Sequence, residues 1–65
     1  MKKYYLHVIS GGVYKYEVYA TTFQTQTFGS KPLGYYAFYD DKELVGCYPI
    51  NKTIIVRIDE NVDVQ

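Results

Sequence analysis

Nine tyrosines fall at strand spacing within 65 residues, and glycine, proline or an acidic doublet interrupts every run that carries them. Tyr, Val, Ile and Phe are strand formers. No window keeps apolar residues at helical period long enough to build an amphipathic helix. Five runs read as strands: Lys3 to Ile9, Val13 to Ala20, Tyr35 to Tyr39, Leu44 to Tyr48 and Thr53 to Ile58. The expectation is an all-β chain, a five-stranded antiparallel SH3-like barrel or compact β-sandwich, forming a single domain over residues 1–65.

A domain of this size buries only about 60% of the surface its unfolded chain exposes, so its core is marginal. Small domains usually add a staple or a partner subunit. Cys47 is the one cysteine and cannot close a disulfide within the chain, and no Cys/His cluster spells a structural zinc. Efficient β packing and self-association are left, so a homo-oligomer is expected. The seven basic and seven acidic residues cancel, and Lys2-Lys3 is the only basic doublet. That argues against general nucleic-acid binding, which draws its affinity from clustered cations. Tyr4 to Ile9 is short for a signal peptide and His7 interrupts it. No run approaches a membrane span. These features predict a cytoplasmic protein in a reducing compartment.

Two hairpins can be registered from their side-chain patterns. With Ser10-Gly11-Gly12 as a three-residue loop, Ile9 faces Val13, Val8 faces Tyr14, Leu6 faces Tyr16 and Tyr4 faces Val18. The other face pairs His7 with Lys15, Tyr5 with Glu17 and Lys3 with Tyr19. A two-residue loop would set Leu6 against Glu17 and mix the faces, so the sorting itself selects the longer loop. Such a loop places a glycine in the left-handed region.

The second hairpin turns at Asp40-Asp41-Lys42-Glu43. An even loop pairs Tyr39 with Leu44, Phe38 with Val45, Ala37 with Gly46, Tyr36 with Cys47 and Tyr35 with Tyr48. Tyr36, Phe38, Val45 and Cys47 are then core. Tyr35, Tyr39 and Tyr48 frame an outer groove floored by Ala37 and Gly46. In the last strand Ile54, Val56 and Ile58 share one face, with Ile55, Arg57 and Asp59 on the other. Pro49 to Lys52 makes a tight link, as a 3₁₀ turn would. If the first and last strands pair antiparallel, Lys2-Lys3 lies beside Asp59-Glu60.

Residues 21–34 form a Thr/Gln-rich insertion between the second and third strands. It is read as an extended edge ribbon that continues the second strand, or as a functional loop. An edge ribbon offers backbone donors and acceptors to a partner.

No catalytic or metal-binding pattern stands out. His7 reads as a surface residue beside Lys15, Cys47 as a small buried hydrophobe, and Asp40, Asp41 and Glu43 as a solvated turn. No cofactor is expected, and no enzyme activity. Tyrosine offers a large rigid surface with a polar tip, which suits recognition. It also fills small β cores with its hydroxyl at the rim, but nine exceed what so small a core holds. The candidate binding residues are Tyr5, Tyr19, Tyr35, Tyr39, Tyr48, Gln24, Gln26 and Phe28.

Phe38-Tyr39-Asp40-Asp41-Lys42-Glu43-Leu44-Val45-Gly46-Cys47-Tyr48-Pro49, a short link, and Ile54-Ile55-Val56-Arg57-Ile58 form an acidic-turn hairpin followed by an Ile/Val-rich last strand. With the opening Met1-Lys2-Lys3 and its hairpin, the chain resembles short phage and prophage all-β proteins over Met1 to Ala20 and Tyr35 to Glu60. The Thr/Gln ribbon departs from that pattern. The resemblance implies a phage-encoded protein that binds and blocks a host protein or defence complex, with no catalytic residues to carry over. Two further functions are compatible with the sequence. One is an oligomeric sponge for a nucleotide-like small molecule, with Lys15, Lys31 or Arg57 meeting a phosphate. The other is an SH3-like structural or nucleic-acid accessory module.

Overall fold

The structure, a computed structural model, describes residues 1–27 and 34–61. They form six strands: β1 (Lys2–Ile9), β2 (Val13–Ala20), β3 (Thr22–Thr27), β4 (Gly34–Asp40), β5 (Glu43–Pro49) and β6 (Thr53–Asp59). A 3₁₀ turn over Ile50–Lys52 links β5 to β6, where the tight connection was expected. Two three-stranded antiparallel sheets result, sheet A in the order β2-β1-β6 and sheet B in the order β3-β4-β5. The all-β class is as expected, with one strand more. Thr22–Thr27 is not a tail of β2 but a separate edge strand on β4, set off by Thr21 at the corner. The Thr21 hydroxyl donates to the Tyr39 carbonyl (3.0 Å) and accepts from the Asp41 N–H (2.9 Å). The entry to the second hairpin's turn is thus tied to the crossing between sheets.

The β1–β2 register is the one the alternation requires, from Ile9 opposite Val13 to Lys3 opposite Tyr19. Gly11 has φ +70°, the conformation such a loop asks of a glycine. The inner faces of the sheets meet around Tyr4, Leu6, Val18, Ala20 and Phe38, with Tyr36, Tyr48 and Ile55 packed against them. Phe38 lies within 5.0 Å of the Tyr4 ring, 5.7 Å of Phe23 and 5.8 Å of Tyr48, centroid to centroid. The core is therefore a cluster of aromatic rings in edge and tilted contacts, each adding modestly to the burial of its area.

Two bulges correct the expected faces. Val45 is an extra residue in β5, so beyond Tyr39–Leu44 the partners shift to Phe38–Gly46, Ala37–Cys47 and Tyr36–Tyr48. Tyr48 therefore turns into the core, while Cys47 and Val45 are exposed rather than buried. Gly46 suits this place, because a Cβ there would stand 3.1 Å from Cε2 of the Tyr48 ring. Val56 is the extra residue in β6, with Tyr5 opposite Arg57 and Leu6 opposite Ile55. Ile55 packs on the core, and Ile54 takes the outer place beside His7. A bulge leaves one residue unpaired and changes which face the following side chains occupy.

Candidate functional site

The two outer faces differ in chemistry. Across β2, β1 and β6, the outer face of sheet A carries the rows Lys15–His7–Ile54, Glu17–Tyr5–Arg57 and Tyr19–Lys3–Asp59. Across β3, β4 and β5, the outer face of sheet B carries Thr22–Tyr39–Leu44, Gln24–Ala37–Cys47 and Gln26–Tyr35–Pro49. No residue of those three rows on sheet B is charged.

On sheet B, Tyr35 and Tyr39 stand two residues apart on β4 with Ala37 between them. Ala37 is only 1% exposed and forms the floor, whereas Tyr35, Gln24, Gln26, Leu44 and Cys47 are exposed. Gln26 Nε2 donates to the Tyr39 hydroxyl across 3.1 Å; Gln26 lies opposite Tyr35 and Tyr39 opposite Thr22, so the bond reaches along the face past the row that holds Ala37. The set of residues expected to frame a groove is altered, and Ala37 between the two rings is shut off from solvent. Tyr35, Tyr39 and Ala37 keep their places, Tyr48 and Gly46 leave for the inner side, and Cys47 with Gln24 flanks the floor instead. Phe28 lies outside the described residues.

On sheet A, Tyr5 and Tyr19 are on the outer face as expected. They are engaged within the chain. Lys3 Nζ lies 5.0 Å from the Tyr5 ring centroid and 5.4 Å from that of Tyr19, and the Arg57 guanidinium carbon lies 5.3 Å from Tyr5. Ammonium and guanidinium groups are attracted to an aromatic face by its quadrupole. Lys3 also pairs with Glu17 at 2.9 Å, and this contact, with the Tyr19 hydroxyl, holds its ammonium above the usual lysine range. The Tyr5 hydroxyl donates to Asp59 Oδ2 (2.9 Å) and Arg57 Nε to Oδ1 (2.8 Å). The Tyr5 bond, ahead of Arg57, keeps the Asp59 carboxyl below its ordinary value. Lys2 reaches Glu60 at 3.6 Å, as the antiparallel pairing of the first and last strands requires.

Beside this network a cleft of about 410 Å³ opens on sheet A, lined by Tyr5, His7, Lys15, Glu17, Val56 and Arg57, with Leu6 and Tyr16 bordering it. Sequence reading missed the cleft, whose lining includes Val56, the extra residue of the bulge in β6. The pairing of His7 with Lys15 was the one legible signal. Tyr48, now inside, lies 5.7 Å from Tyr16, and burial followed by that neighbour raises its phenol above the usual range. Among the described residues no group of His, Cys, Asp and Glu is placed to hold a metal ion. No helix among them is long and apolar enough to cross a membrane. Family models, curated proteins and solved structures offer no match to this chain.

Proposed function

We propose that this chain is a non-enzymatic binding protein, a phage-encoded inhibitor that covers a host protein or defence complex with the outer face of sheet B. The observation that carries this reading is the absence of charge from the Tyr35–Ala37–Tyr39 face. Interface centres are depleted of charged residues and enriched in tyrosine. Desolvating such a face leaves no uncompensated charge, while its amides and hydroxyls can find new partners. Tyr35 and Tyr39 supply the rigid area, and Gln24 and Gln26 the adaptable hydrogen bonds. The face is self-complementary in chemistry, so a second copy of the chain is the other occupant it suits, and a homo-oligomer follows from the same surface.

The test is affinity capture of a host protein by the wild-type chain and by Tyr35→Asp, with circular dichroism confirming that the variant is folded. A partner held by the wild type should be lost from the variant, because a carboxylate at the centre of the contact would be desolvated. Undiminished capture by a folded Tyr35→Asp chain would remove sheet B from the account.

A further inference from the structure

The outer face of sheet A is electrostatically complete at one end and open at the other. At the closed end both carboxylates are engaged, Glu17 by Lys3 (2.9 Å) and Asp59 by Tyr5 and Arg57 (2.9 and 2.8 Å). At the open end Lys15 and His7 face each other across β1 and β2, and neither side chain has a hydrogen-bond or ion-pair partner among the described residues. Arg57 is anchored through Nε alone, so both of its terminal amino groups remain available. The bulge at Val56 matters here. With Ile54 on the outer face, uninterrupted alternation would turn Arg57 inward; the extra residue sets it opposite Tyr5 on the outer face.

We propose that this open end is a binding site for the phosphate group of a nucleotide-sized small molecule. Lys15 supplies a point charge, and Arg57 a planar pair of donors that suits phosphate geometry. Its guanidinium is already oriented by Asp59 and by the Tyr5 ring, so little side-chain freedom is lost on binding. His7 adds a ring nitrogen between them. The rest of the ligand lies along Val56 and the rim of Tyr5 in a cleft of about 410 Å³, whose wall also includes Glu17, its carboxylate held by Lys3 at 2.9 Å; the volume is within the range that holds small molecules. The site is on the opposite sheet from the surface proposed for protein binding, and the two stand or fall separately.

The experiment is an amide NMR titration of the ¹⁵N-labelled chain with adenosine monophosphate, adenosine and inorganic phosphate in turn. The monophosphate should shift the amides of His7, Lys15, Val56 and Arg57 saturably, inorganic phosphate should shift a subset of them, and adenosine should leave them in place. Lys15→Gln, an exposed change that keeps the strand, should raise the Kd for the monophosphate about tenfold, the loss of one charge-assisted hydrogen bond. Arg57→Lys should weaken binding as well, because the planar donor pair is lost. The absence of saturable shifts, equal shifts with adenosine, or an unchanged Kd in folded Lys15→Gln would each overturn the proposal. Tighter binding of a phosphate-free oligoglutamate peptide would assign the cleft to an acidic protein segment instead.

Discussion

The Tyr5 hydroxyl donates to Asp59 Oδ2 across 2.9 Å, joining residues 54 positions apart in the chain. The bond ties the central strand of sheet A to its C-terminal edge. It also fixes the carboxylate that orients Arg57.

Asp59 lies below the ordinary carboxylate range because the Tyr5 hydroxyl, and after it Arg57, favour its ionised form. Folding therefore favours ionised Asp59. That stabilisation is complete above the unfolded value of about 3.9 and is lost as pH falls through the lower folded value. Tyr5→Phe should move the Asp59 titration, followed by carboxyl NMR, up toward the ordinary value. The variant should be less stable than the wild type at neutral pH, and the gap should narrow in acid. An unmoved Asp59 titration would show that the hydrogen bond is not the cause.

Phe38 is fully buried and touches the rings of Tyr4, Phe23 and Tyr48. Phe38→Ala should cost about 3–5 kcal/mol. Domains of this size have little more stability than that, so the variant should be largely unfolded at 25 °C by near-ultraviolet circular dichroism. Phe38→Leu, which keeps most of the volume, should remain folded with a lowered urea midpoint.

The two glycines of the first turn should respond differently to alanine. Gly11 has open space around a Cβ position but φ +70°, so Gly11→Ala should destabilise by about 1–2 kcal/mol through the backbone alone. Gly12 has no such φ, and its Cβ would meet only Tyr14 at 4.0 Å. Gly12→Ala should fall within about 0.5 kcal/mol of wild type. Equal costs in urea unfolding would show that the turn does not depend on the left-handed residue.

Thr53 is buried, and its Oγ1 has no hydrogen-bond partner among the described residues. An unsatisfied buried hydroxyl costs about 1–3 kcal/mol. Thr53→Val keeps the shape and the β-branched preference while removing that group, and should raise the melting temperature. A lowered one would mean that the hydroxyl is satisfied.

The first hairpin was readable because its faces differ, with Leu6, Val8 and Tyr4 on one and His7, Tyr5 and Lys3 on the other, so only one register sorts them. The second hairpin is apolar on both faces. There the period-two pattern cannot locate an extra residue, and Val45 reversed Cys47 and Tyr48 without a local signal. Gly46 was visible, but as a groove floor rather than as the neighbour a bulge requires. In β6 the run of Ile54, Ile55, Val56 and Ile58 hides the bulge in the same way, although Arg57 and Asp59 fell on the expected face. The Thr22–Thr27 ribbon was legible as extended backbone. Its pairing with β4 was not, because uncharged Thr and Gln do not specify a neighbour. Tyr35, Tyr39, Gln24 and Gln26 share the outer face of sheet B, whereas the cleft lies beside the bulge at Val56.

The measurement that bears most directly on the account places a benzophenone photo-crosslinking residue at position 35, on sheet B, or at position 19, on sheet A, in the otherwise wild-type chain inside a host cell. Position 35 should yield a discrete covalent adduct with a host protein or a second copy, and position 19 should yield none of comparable amount. Adducts from position 19 with none from position 35 would contradict the assignment of the uncharged Tyr35–Ala37–Tyr39 face as the contact surface.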